Sequence, residues 1–123
     1  MPSTRNKADV EYAVMLAVLN FQKKFMQSNY SHVQVQLLED QIVVDLTRTA
    51  AIAAAERLAQ TQEGQAQLRQ MHQSLFTAGQ DILKKQLEEI LGRKINEMVT
   101  DLEPLSGKNT IVITLKEAIS ISA

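Results

Sequence analysis

Hydrophobic and polar positions along the chain change period several times. Val10, Val14, Ala17, Phe21 and Phe25 recur every three or four residues, the repeat of an amphipathic helix running from Ala8 to about Ser28. Met15, Leu16, Leu19 and Met26 widen that stripe, which predicts cover on more than one side. Asn29, Tyr30 and Ser31 end the helix. The period then drops to two. Val33, Val35 and Leu37 alternate with His32, Gln34 and Gln36, and after Glu39-Asp40-Gln41 come Ile42, Val44 and Leu46 against Val43, Asp45 and Thr47. This is the pattern of a β-hairpin with an acidic turn and one buried face.

Helix formers return from Thr49 to Leu91. As one helix the stretch would run to roughly 60 Å at ~1.5 Å per residue, too long for so small a domain. A break is predicted at Gln60 to Gly64, with Thr61 capping the second segment and Glu63 placing a negative charge in its first turn. Leu68, Met71, Leu75, Ala78 and Ile82, continued by Leu83, Leu87 and Ile90, form the expected buried stripe. Gly92 stands where a C-terminal glycine belongs. Gly79 is expected to weaken the helix by about 1 kcal/mol relative to Ala. A second hairpin follows, from Ile95 to Leu102 and from Thr110 to Leu115, with Pro104, Ser106, Gly107 and Asn109 in its turn. The order α-β-β-α-α-β-β predicts an α+β two-layer sandwich, an antiparallel four-stranded sheet with helices on one face. Residues 8–117 form the domain, 1–7 a frayed start and 118–123 a tail.

Composition narrows the function. With 123 residues and 45% hydrophobic content, the chain makes one globular domain. It has no Cys, which excludes disulfides, thiolate metal sites and thiol catalysis. Thirteen Lys+Arg against fourteen Asp+Glu leave a net charge of −1, with no strong pull toward nucleic acid or lipid. The longest strictly apolar run, Ala13 to Leu19, is far short of the ~20 residues of a bilayer span. Lys23 and Lys24 follow the apolar stretch rather than precede it, unlike a secretory signal. A cytoplasmic location is expected.

Reactive groups are scarce. The four glycines stand apart, so no phosphate cradle is present. His32 and His72 have no second His at ligand spacing, and no GxSxG elbow marks a nucleophile. His32 falls on the polar face of its strand, His72 at the edge of the helical stripe, and Asp45 outward in mid-strand. These three, with Asp101, are the polar candidates, and none carries a reaction. The chain reads as a non-enzyme without metal or cofactor. Basic pairs at Lys23-Lys24, Lys84-Lys85 and Arg93-Lys94 raise nucleic-acid binding as an alternative. The helix order also resembles that of KH domains. The corresponding loop, however, holds Glu63 where phosphate would lie and a single glycine, Gly64, which argues against it.

The piece Leu58-Ala59-Gln60-Thr61-Gln62-Glu63-Gly64 resembles the L-A-x-T-x-E-G signature of a small bacterial domain family. That family is named after the C component of the sodium-translocating membrane-potential-generating system. Ile42-Val43-Val44-Asp45-Leu46, Leu91-Gly92, Thr100-Asp101 and Gly107 through Leu115 match in order, so the likeness spans roughly residues 8 to 117. Thr49 through Ala55 depart from it, being alanine-rich where a Thr-Pro start is expected, and His72 stands near where relatives often carry Arg. The resemblance implies an accessory of a membrane system handling ions or bicarbonate, and supplies no catalytic residue. Together with the wide apolar stripes it predicts an interaction or regulatory module that self-associates as a dimer and docks on a protein partner. Thr61, Glu63 and Gly64 form the candidate interaction loop. A small-molecule sensor is the remaining alternative.

Overall fold

The computed structural model describes residues 6–48 and 53–117. The tail 118–123, most of the expected frayed start and the first half of the alanine-rich segment lie outside those residues. Asn6 and Lys7 do not belong to a frayed end: Asn6 accepts a hydrogen bond from the Asp9 amide at 2.8 Å and caps helix α1, Lys7–Phe21.

Helix α1 buries Val10, Val14, Val18 and Phe21. The expected cover on a second side is partial: Met26 is buried and Leu19 packs half-buried against the core, whereas Leu16 is exposed, as is Tyr12. The helix also ends differently from its sequence pattern. Gln22–Met26 widen into a π-helical turn, closed by Gln27 in the left-handed conformation at φ 55°. That extra residue per turn rotates Phe25 and Met26 relative to the α-helical stripe.

Strands β1 (His32–Leu37) and β2 (Gln41–Thr47) form the first hairpin, and β3 (Ile95–Glu103) and β4 (Lys108–Leu115) the second. All pairings are antiparallel and the sheet order is β1-β2-β4-β3. The central pair sets Ile42 opposite Ile113 and Val44 opposite Ile111. These four side chains, with Leu37, Leu46, Ile95 and Leu115, are the sheet's buried share of the core. Each contributes about 1.5–3 kcal/mol by leaving water. The imperfect alternation of β3 comes from a register shift between Ile95 and Glu97.

Helix α2, Ala53–Leu58, and helix α3, Gln62–Leu91, meet at the predicted break. Helix α3 lies against α1 and β3. Its buried face, however, is Gly64, Leu68, His72, Phe76, Gly79, Leu83, Leu87 and Leu91. Met71, Leu75, Ala78 and Ile82, expected in the core, are exposed. The true stripe runs one position away because two of its members, His72 and Gly79, are not hydrophobic. Gly79 is no weak point: a Cβ there would overlap the Phe25 ring, so the helices reach their spacing only through this glycine. Asn109 is likewise not a turn residue. It lies in β4 with no exposed surface, and the turn is made by residues 104–107, with Gly107 at φ 76°.

Candidate functional site

One end of the sandwich holds a cavity of about 330 Å³, within the roughly 300–1,000 Å³ range of small-ligand pockets. Five parts of the chain enclose it. Met26 and Tyr30 come from the π-turn and the loop after it, Arg48 from the end of β2, and Leu58 from α2. Leu68, His72 and Leu75 come from α3, and Leu102, Pro104 and Gly107 from the β3–β4 end. Apolar side chains dominate. Among the described residues lining it there is no acidic side chain.

The polar groups here are unusual. Arg48 lies over the Tyr30 ring, its guanidinium carbon 4.6 Å from the centroid, a cation–π contact. Its Nε is buried and has no hydrogen-bond partner among the described residues. His72 rests on the sheet through a buried chain: its Nε2 lies 2.8 Å from Thr100 Oγ1, and that hydroxyl donates to Asn109 Oδ1 at 2.9 Å. With the hydroxyl proton given to Asn109, Thr100 accepts from His72, which fixes the Nε2–H tautomer. Burial lowers the His72 pKa below its ordinary 6.5, and the positive charge of Arg48 adds to that. The contact with Asn109 and the charge of Asp101 oppose it. His72 is thus a wall of the cavity whose protonation is disfavoured, close to the Arg48 guanidinium.

The other polar candidates lie elsewhere. Asp45 accepts a hydrogen bond from Thr110 Oγ1 at 3.0 Å and approaches Lys108 Nζ at 3.7 Å on the open face of the sheet. His32 borders the same shallow depression. Neither reaches His72, which is on the helix side. Asp101 borders a separate shallow pocket with Arg69 and Gln73, reached by His72 from its edge. Among the described residues no group of three His, Asp or Glu could hold a metal ion.

The loop singled out in the sequence is a joint. Thr61 Oγ1 accepts from the Gly64 amide at 2.9 Å, capping α3, and Glu63 lies in its first turn. Gln65 Nε2 donates to the Ala59 carbonyl at 2.9 Å. A Cβ on Gly64 would overlap the Leu58 carbonyl, so that glycine lets the end of α2 rest directly on the start of α3. Thr61 and Glu63 are exposed, while Gly64 is buried. The joint aims Leu58 at the cavity. Arg48, Tyr30 and the Thr100–Asn109 pair were not found in the sequence. Their only signals there were an Arg after a strand and polar residues at inward register positions.

Comparison with known proteins adds the lineage. Residues 6–117 match the model of the family described as Na+-translocating membrane potential-generating system (MpsC). The chain belongs to this family. It is 23% identical over 111 residues to "Uncharacterized protein YbcI" of Bacillus subtilis (strain 168), covering 90% of this chain and 89% of that one. No solved structure matches the chain. The joint and both hairpins fall within the matched residues, and no helix among the described residues is long and apolar enough to cross a membrane.

Proposed function

We propose that this chain is a non-enzymatic, cytoplasmic accessory module that works by binding other proteins, a second copy of itself among them. The observation that carries the reading is the outer flank of α3. Met71, Leu75 and Ile82 stand 57%, 39% and 53% exposed on one side of a helix whose neighbouring face is filled. Tyr12 and Leu16 add apolar surface on α1. Met71 and Leu75 reach the rim of the cavity, but Ile82 does not, and an exposed apolar stripe that continues past the cavity marks an interface. Family membership supports the reading from another side. The family takes its description from a membrane ion-translocating system, and docking is how a chain with no spanning helix among its described residues would serve one.

Size-exclusion chromatography with light scattering tests the self-association. The wild-type chain is expected to show a mass that rises with concentration to that of a dimer. Ile82→Glu should hold it at the monomer mass with an unchanged circular dichroism spectrum. A wild-type chain that stays monomeric at high concentration would remove self-association from the proposal.

A further inference from the structure

The cavity beneath the α2–α3 joint combines three features that a packed core does not need. It is open and mostly apolar, it holds one guanidinium, and none of its described lining residues is acidic. Two other cations meet a carboxylate: Lys94 lies 3.9 Å from Glu88 and Lys108 lies 3.7 Å from Asp45. Arg48 lies over the face of Tyr30, and among the described residues its buried Nε–H has no acceptor. A buried donor left unsatisfied is costly, and a carboxylate is its natural complement, because the planar fork of a guanidinium matches two carboxylate oxygens. The lining also includes Leu58, Leu68, Leu75 and Leu102, whose side chains offer no hydrogen bonds and favour a hydrocarbon body.

We propose that the cavity is a binding site for a small organic anion, a monocarboxylate with an apolar tail, its carboxylate held by Arg48 and its tail lying among the leucines. Tyr30 positions the guanidinium by stacking on it. Ligand entry would pack Leu58 and tie α2 to the body of the domain. This goes beyond the docking reading and holds even for a strictly monomeric chain.

The test uses the full-length chain and hexanoate as probe, with hexanamide and acetate as comparisons. Hexanoate separates the two halves of the site, since the amide lacks the charge and acetate lacks the tail. Hexanoate at millimolar concentration is expected to raise the melting temperature and to shift the Arg48 Nε–H resonance in a nitrogen–proton spectrum. Hexanamide and acetate at equal concentration should do markedly less. Arg48→Met should weaken hexanoate binding at least tenfold, and Arg48→Lys by less. Should Arg48→Met fail to fold, the three probes on the wild-type chain still decide. Equal responses to hexanoate and hexanamide, responses to acetate as large as to hexanoate, or no movement of the Arg48 signal would each overturn the proposal.

Discussion

At the scale of single residues, His72 ties stability to pH. Its folded pKa lies below the ordinary 6.5, so as pH falls the unfolded chain takes up the proton first. Stability from this residue is therefore complete above about pH 6.5 and declines as pH falls below it. The expected result is a wild-type urea midpoint lower at pH 5.5 than at pH 7.5, with that difference reduced in His72→Gln. An equal difference in the variant would place the titration elsewhere. Gln22 presents a different case. It is 1% exposed in the π-turn, and among the described residues neither side-chain polar atom has a partner. Removing an unsatisfied buried amide while keeping its shape should help, so Gln22→Met is expected to raise stability by about 1–2 kcal/mol in urea unfolding.

At the scale of elements, the joint between α2 and α3 was readable because capping leaves a short local signature: Thr61, Glu63 and Gly64 are within four positions of one another. Thr61→Ala is expected to lower stability by about 1 kcal/mol, seen as a shift in the urea midpoint; an unchanged midpoint would make the loop a docking surface alone. The face of α3 was not readable in the same way. Two neighbouring stripes compete on that helix, and the more hydrophobic one, through Met71, Leu75 and Ile82, is the one left outside. Hydrophobic patterning ranks His72 and Gly79 as breaks, although one is buried by its bond to Thr100 and the other by the approach of Phe25. Helix propensity alone favours Gly79→Ala, but the Phe25 ring occupies the space. We expect a net loss of about 1–3 kcal/mol, partly recovered in the double variant with Phe25→Leu. A stabilised Gly79→Ala would show that Phe25 moves aside freely.

At the scale of the whole molecule, the class and the element order followed from periods of two and 3.6, because each hairpin and helix is a local pattern. Sheet order did not, since nothing in either hairpin names its neighbour. Nor did the cavity: Tyr30, Arg48, His72 and Leu102 meet only when the first hairpin, the joint and the second hairpin are all in place. The order β1-β2-β4-β3 also governs how the chain reaches this state. Each hairpin can zip from its own turn, but β2 and β4, neighbours at the centre, are separated in sequence by residues 48 to 107. Their pairing has to close a loop containing both α2 and α3. It is the contact of highest sequence separation in the sheet, and such contacts set the pace of folding. The slow step expected from this topology is therefore the meeting of β2 with β4, which brings Ile42 and Val44 against Ile113 and Ile111 across the intervening helices.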